Sequence, residues 1–402
     1  MISLEDARAR IFSDIGVLEA TRTPLAEALG LVLAEPIVAD EPVPPFANTA
    51  MDGFAVRAGD TAGASEASPV RLPVVATIAA GQVAPAPLRP GEAMRIMTGA
   101  PIPEGADAVI MVELTRADGS EVELLAEVPP GNHVRPAGDD LEPGTEVFPA
   151  GTTLGPGHLG VLASLGIDAP LVHRRPRVGV LSTGDELVIG PVPLEPGQIR
   201  DSNRVTLLSL AREAGTEPVD LGLVRDDEQA VAEALTDAAA RCDVLLTSGG
   251  VSMGDFDYVK AFLERQGRLN WMQVAIRPAK PLAFGLLDGT PVFGLPGNPV
   301  SSMVSFELFA RPSLLRLMGR SDTERPQVTA LAAEPLRRRP DGKVHFVRVI
   351  AGQDPDGAWR VRSAGGQGSH QLAAMATANG LAVVADGEGI PAGGRVSVLL
   401  LR

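Results

Sequence analysis

Apolar positions recur at helical spacing from the start of the chain: Leu4, Ala7, Ile11 and Ile15 share one face of a helix predicted over Ser3–Ile15. Ser3 is its N-cap, and Asp6 at the third helical position comes close to a capping box. A second helix is predicted through Pro24–Leu33, after which Pro36, Pro42, Pro44 and Pro45 force an extended connection. From Val56 to about Asp139 the apolar runs shorten to strand length: Val70–Ile78, Ala93–Met97, Ala108–Glu113 and Val122–Val128. Glycine and proline separate them, which predicts a small β domain. Gly151–Ile167 returns to helical spacing and is expected to rejoin the N-terminal helices, making the β domain an insertion.

The middle of the chain follows a different pattern. Short buried runs at Val178–Leu181, Val219–Val224, Val244–Thr247 and Thr290–Gly294 alternate with helices. These helices are predicted over Arg204–Ala214, Glu228–Ala240, Asp257–Gln266 and Val300–Met318. Such alternation predicts a parallel sheet covered by helices on both faces. After a polar linker, Gly319–Pro326, the runs Val328–Ala332, Val344–Ile350, Trp359–Ser363, Leu381–Asp386 and Arg395–Leu400 predict a closing β-barrel or sandwich. The expected fold is therefore multidomain α/β. Its parts are a helical linking domain (1–45 plus 141–172), an inserted β domain (46–140), a central α/β domain (173–322) and a C-terminal β-barrel domain (323–402).

Composition narrows the function. At 402 residues the chain is long enough for two to four domains, and with 3% aromatics its cores must be filled by Ala, Val and Leu. A net charge of −15 disfavours nucleic acid as a partner, although a small anion needs only a local cluster of donors. The single cysteine, Cys242, allows neither an internal disulfide nor a Cys-rich metal site. The five histidines, His133, His345 and His370 among them, lack zinc-ligand spacing. No signal peptide opens the chain and no apolar run is long enough to cross a bilayer, so a soluble, cytoplasmic protein without a membrane partner is expected.

Ligands of open parallel sheets bind beyond the carboxyl ends of the strands. Three turns are expected there: STGDEL after Val178–Leu181, SGGVSMGDFDYVK after Val244–Thr247, and LPGNPVSS after Thr290–Gly294. Glycines let backbone N–H groups approach an oxyanion, and a helix N-terminus adds positive potential. Carboxylates adjoin these turns at Glu186, Asp226, Asp227 and Asp257. A pocket for phosphate alone would not gather like charges, but Mg²⁺ between carboxylates and phosphates makes the combination sensible. Arg277 and Lys280, in AIRPAKPLAF, are natural oxyanion donors beside such a site. Outside this region, Asp52, Thr98, Arg135, Asp139 and Asp140 stand in turn-like patches.

The motifs NTAMDGFAV, RIMTGAPIPEGADAVIMVE, VRPAGDD, VGVLSTGDEL, IRDSN, LTSGGVSMGDFDYVK, RPAKPLAFG, GLPGNPVSS and GSHQLAAM occur in this order over nearly the whole chain. Together they resemble the MoeA-type molybdopterin molybdenumtransferases, a family that includes the gephyrin E domain and its plant counterpart. The resemblance implies an elongated homodimer of four-domain protomers, whose β insertion reaches the partner's active site. It implies a reaction in which adenylyl-molybdopterin and molybdate give molybdenum cofactor and AMP, with Mg²⁺ as cofactor. The molybdopterin adenylyltransferase and molybdoenzyme chaperones would be its protein partners.

Position by position, the resemblance gives Glu186, Asp226 and Asp257 catalytic and metal-holding roles, with Asp52 and Asp140 as further acidic catalytic positions. Thr98, Arg135, Thr183, Gly184, Ser248, Gly249, Gly250, Arg277, Lys280, Ser301 and Ser369 match substrate-binding positions. The chain departs from the pattern at Gln273, where some members carry lysine, at Arg277, where others carry lysine, and at Ala279, where glycine is usual. Two alternatives stand beside this reading: an adenylyltransferase of the MogA type, which shares the α/β domain, and a non-catalytic scaffold like gephyrin.

Overall fold

The computed structural model describes residues 1–249, 258–266 and 268–401. In chain order its central part contains β1 (Arg177–Thr183), β2 (Glu217–Val224), β3 (Val244–Ser248), β4 (Arg268–Gln273), β5 (Ile276–Arg277), β6 (Pro281–Leu287) and β7 (Thr290–Leu295). All but β5 form one sheet in the order β2-β1-β3-β7-β6-β4. The strands β2, β1, β3 and β7 are parallel, as expected, but β6 and β4 add an antiparallel edge. The sheet is therefore mixed. The turn Asp288-Gly289, both residues with positive φ, makes a two-residue hairpin between β6 and β7.

Both faces of the sheet are apolar, with alternate residues facing opposite cores. Val178, Val180, Val244 and Leu246 pack with Leu207 and Ala211 of the helix Asn203–Glu213 and with Val300 and Val304 of the helix Pro299–Ser305. Leu181 and Leu245 face the other way, against Val231 and Leu235 of Glu228–Ala239 and Val259 and Leu263 of Tyr258–Gln266. Cys242 lies in this second core, where burial pushes its thiol pKa up. The predicted long helix Val300–Met318 is broken into α-helical Pro299–Ser305, a π-helical turn Phe306–Ala310 and α-helical Arg311–Leu317. Pro312, which has no N–H to give the preceding turn, adjoins the irregularity.

The N-terminal region corrects the expectation of a helical domain. One helix forms, Leu4–Phe12, with the Ser3 hydroxyl accepting from the Asp6 N–H at 2.9 Å. The predicted second helix is instead a single 3₁₀ turn, Leu25–Glu27, followed by the strand Val32–Leu33. Gly30, at φ 78°, turns the backbone out of helical geometry, and cross-strand partners take over: Val32 and Leu33 pair with His173 and Val172. The apolar spacing of Ala28, Leu31 and Leu33 suits either structure. Their core is shared with Leu154, Leu162 and Val172, which includes the helix Pro156–Ser164.

All four strands predicted between Val70 and Val128 are present, at Ser65–Ile78, Ala93–Ile96, Ala108–Met111 and Glu121–Ala126. Gly53–Val56 and Thr115–Ala117 complete a six-stranded sheet.

The C-terminal strands are β8 (Gln327–Ala332), β9 (Val344–Gln353), β10 (Trp359–Ser363), β11 (Gly380–Val384) and β12 (Arg395–Leu400). They run in the order β9-β10-β8-β12-β11, and β11 pairs back onto β9, closing a barrel around Val349, Val361, Ala382, Val396 and Val398. The strand β5, from the central segment, joins this sheet: Ile276 pairs with Val344 and Arg277 with His345. That pairing ties the barrel to the edge of the central sheet. Among the described residues, no helix is long and apolar enough to cross a membrane.

Candidate active site

The neighbouring strands β1, β3 and β7 end at the same edge of the sheet and deliver the three glycine-containing turns together. The Gly249 N–H donates to the Leu295 carbonyl at 3.2 Å, and Asn203 bridges the second and third turns. Its side-chain amide donates to Ser248 Oγ and to the Gly297 carbonyl, both at 2.7 Å. Asp201 braces the start of the same helix. It accepts from Ser182 Oγ at 3.1 Å and from Arg204 Nε at 3.0 Å, and Arg204 also pairs with Asp220.

Glycine is favoured at two points of these turns. Gly184 is at φ 148°, a conformation that side-chain-bearing residues rarely adopt, and the Glu186 carboxylate folds back over it. A Cβ on Gly249, at φ 99°, would come within 2.8 Å of the Thr183 carbonyl. The backbone conformation at Gly184 and the close Thr183 carbonyl at Gly249 explain the glycines of TGDE and SGG.

Over this edge lies a cavity of about 690 Å³. Of the residues expected at the site, Glu186, Gly249, Arg277, Lys280, Ser301 and Ser369 line it. The RPAKP loop enters as a tight turn, closed by a hydrogen bond from the Val274 N–H to the Lys280 carbonyl at 2.8 Å. Its Arg277–Pro278 bond is cis, and Ala279, where glycine is the expected residue, is held at φ 73°. The barrel supplies the far wall. Ser369 accepts from the Val300 N–H through its carbonyl at 3.0 Å, so the GSHQ segment is pinned to the first turn of the helix bearing Ser301.

Thr183, Gly184 and Ser248 belong to the turns at this edge, and the Thr183 and Thr247 hydroxyls are buried with no hydrogen-bond partner among the described residues. Asp226 follows β2, and its N–H donates to Asp185 Oδ1 at 3.3 Å, which sets it beside the TGDE turn. Gly250 and Asp257 lie outside the described residues. Among the described residues, no three His, Cys, Asp or Glu side chains stand close enough together to hold a metal ion.

Asp52, Thr98, Arg135 and Asp140 do not line this cavity. Asp52 and Thr98 do meet: Asp52 Oδ1 accepts from the Thr98 N–H and from its hydroxyl, each at 2.7 Å. The backbone bond, then the hydroxyl, hold the Asp52 carboxyl below the usual carboxylate range. Arg135 pairs with Asn48 in a two-stranded ribbon, and the Asp140 N–H donates to the Val43 carbonyl.

Several residues were given no role by the sequence, although Asn203 and Asn298 lie within the motifs IRDSN and GLPGNPVSS. Lys343, Gln367 and Asn298 line the cavity, and Asn203 organises its turns. Arg348, fully buried on β9, donates through Nη2 to the carbonyls of Gly366 (2.8 Å) and Gly368 (3.2 Å). Its Nε and Nη1 have no partner among the described residues, and burial lowers its pKa. A signal existed in VHFVRVI: the arginine shares the face of Phe346, which packs into the central core, while Val347, Val349 and Ala351 face the barrel interior.

Comparison with known proteins supplies the family. The chain matches models of the MoeA N-terminal region (domain I and II) over residues 2–166, a probable molybdopterin binding domain over 179–316, and the MoeA C-terminal region (domain IV) over 329–401. Molybdopterin molybdenumtransferase 2 of Mycobacterium tuberculosis is 41% identical over 364 residues, covering 89% of each chain. The molybdopterin molybdenumtransferase of Haemophilus influenzae is 37% identical over 401 residues, 99% of this chain and 98% of that one. A crystal structure of the molybdopterin biosynthesis MoeA protein of Pyrococcus horikoshii superposes with a TM-score of 0.84 at 33% identity, covering 100% of this chain and 99% of that one. This chain belongs to the MoeA family of molybdopterin molybdenumtransferases.

Proposed function

We propose that the chain inserts molybdate into adenylyl-molybdopterin, with magnesium-dependent release of AMP. One observation carries this reading: a single cavity joins a carboxylate at the TGDE turn to the cations Arg277 and Lys280 and to the glycine turns of three adjacent strands. A tetrahedral dianion needs several converging donors, and a phosphate ester needs backbone N–H groups reached without Cβ obstruction. In a chain of net charge −15, such a local cluster is what admits an anion.

The residue types fit magnesium: Glu186 carries a carboxylate at the TGDE turn, the Asp226 backbone is bonded to Asp185 of that turn, and a magnesium ion held by few carboxylates completes its shell with substrate oxygens and water. Glu186 and Asp226 would hold it, with Asp257 as the third residue of the reading. Bound there, magnesium would neutralise charge on the pyrophosphate and polarise the phosphoryl group.

The chain's own residues do the positioning. Ser248 accepts from Asn203 through its hydroxyl oxygen, so its hydroxyl proton would be the one to donate to a substrate phosphate. Arg277, Lys280 and the Ser301 hydroxyl would bind molybdate, Arg277 with a planar fork of donors and Lys280 as a point charge. Arg348 favours an anion nearby, because a buried guanidinium with unpaired donors is costly unless a negative charge answers it.

Asp52, Thr98, Arg135 and Asp140 would serve the site of a second copy in a homodimer, as the family resemblance implies. Separate cores support a β unit within 46–140 and a barrel within 323–402, whereas Ala7, Ile11 and Ile15 of the first helix pack into the central core and not with the 141–172 segment. Upstream, an adenylyltransferase would supply the adenylate. Incubation with ATP and molybdopterin separates the two activities: an adenylyltransferase accumulates the adenylate, whereas the proposed activity consumes it when molybdate and magnesium are added.

A further inference from the structure

We propose that Lys343 is a further cationic ligand of the oxyanion subsite, and that Asp341 is the positioning residue that aims Lys343 and Arg277 into the cavity; this rests on the molybdate reading given above. Lys343 lines the same cavity as Arg277 and Lys280 but comes from the barrel. Its position is fixed by backbone pairing. Val344 and His345 are in register with Ile276 and Arg277, and the Val344 N–H donates to the Ala275 carbonyl at 2.9 Å. A lysine immediately before that register is therefore carried to the RPAKP loop by the strand itself.

Asp341 holds the cations in place. Its Oδ2 accepts from Lys343 Nζ at 2.9 Å and lies 3.9 Å from Arg277 Nη1. Its Oδ1 is held by Arg338 at 2.8 Å and by His345 Nε2 at 3.1 Å. The Lys343 hydrogen bond is the main cause that keeps the Asp341 carboxyl at a pKa of about 2, so the tether stays charged at neutral pH. It does not consume the donors it aims. An ammonium group has three N–H bonds and Asp341 takes one, while Arg277 at 3.9 Å is beyond hydrogen-bond distance and keeps its own. The Lys343 side chain is only 18% exposed, so its stem is already ordered before an anion arrives.

A purely structural ion pair makes a different prediction. If Asp341 acted on the anion only by repulsion, replacing it with asparagine would tighten molybdate binding. If it aims Lys343 and Arg277, the same change weakens binding even though a negative charge is lost.

The test is calorimetric titration of molybdate into the full chain and into Lys343→Met, Lys343→Arg, Asp341→Asn, Lys280→Met and the Asp341→Asn/Lys343→Met double variant, with melting curves for each. Lys343→Met is expected to bind about tenfold more weakly, and Lys343→Arg to stay within about threefold of the parent. Asp341→Asn should bind about threefold more weakly, and most of that loss should vanish in the double variant. Parent-like affinity in Lys343→Met, with binding lost in Lys280→Met, overturns this inference alone. Tighter binding by Asp341→Asn overturns the positioning role. Parent-like binding by both lysine variants, or no binding by the parent chain, overturns the oxyanion reading of the cavity and this inference with it.

Discussion

Asn203 shows how much of the site rests on one side chain that touches none of the charged groups. Its amide joins the ends of β3 and β7 through Ser248 and Gly297. Asn203→Ala should cost about 1 kcal/mol, since it leaves the buried Ser248 hydroxyl without its donor while water answers the exposed Gly297 carbonyl. Denaturant titration measures that cost, and an unchanged midpoint would contradict the bridging role. Ala279 is a second case. At φ 73° a Cβ is already disfavoured, and a β-branched side chain is more so. Ala279→Val should therefore destabilise the chain by about 2 kcal/mol, read from the same titration.

Asn203, the last residue of the IRDSN motif, marks the limit of what the sequence makes legible. Glycines, carboxylates and cations announce their chemistry by type, and so Glu186, Gly249, Arg277 and Lys280 could be expected where the cavity has them, whereas Ser301 and Ser369 come from the family resemblance alone. A lone asparagine at a helix start has many commoner explanations. Only the strand ends it bridges reveal its role.

At the scale of elements, the central α/β alternation and the β runs were readable because both depend on local period. The N-terminal helix Leu4–Phe12 was readable as well, through its Ser3 cap. The second N-terminal helix was misread because Ala28, Leu31 and Leu33 suit either a helix or a strand, and partners more than a hundred residues away, at Val172 and His173, decide for the strand.

The pairing of β5 with β9 was invisible for the same reason, yet it determines which cations face the cavity. The Asp341 tether beside it has a defined acid limit. Its carboxyl is depressed below the ordinary value of 3.8 to about 2, mainly by Lys343, with His345 also bonded to it and Arg338 and Arg277 nearby. A depressed carboxyl stabilises the fold above its unfolded pKa and loses that contribution as pH falls through the folded value. The stability difference between the parent and Asp341→Asn should thus persist down to about pH 4, rising where His345 becomes charged beside Asp341, and be lost between about pH 4 and 2. A difference that disappeared already near pH 6 would contradict the tether.

The whole molecule places its candidate residues in two groups. One lines the cavity between the central sheet and the barrel. The other, Asp52 with Thr98, Arg135 and Asp140, sits on the N-terminal β region. If the second group completes the cavity of a partner copy, Asp52→Ala and Glu186→Ala chains, each inactive alone, should recover AMP release when refolded together, because a mixed dimer contains one intact site. Recovery absent from mixtures that do form mixed dimers would contradict the shared site.

The most direct test of the central claim is the release of AMP from adenylyl-molybdopterin, measured with and without magnesium and molybdate, for the parent chain, Glu186→Gln and Lys280→Met. The parent should release AMP only when both ions are present. Glu186→Gln should lose at least about a hundredfold in rate without weaker molybdate binding, and Lys280→Met should require far more molybdate. Full magnesium-dependent release by Glu186→Gln, at an unchanged molybdate requirement in Lys280→Met, would contradict the account.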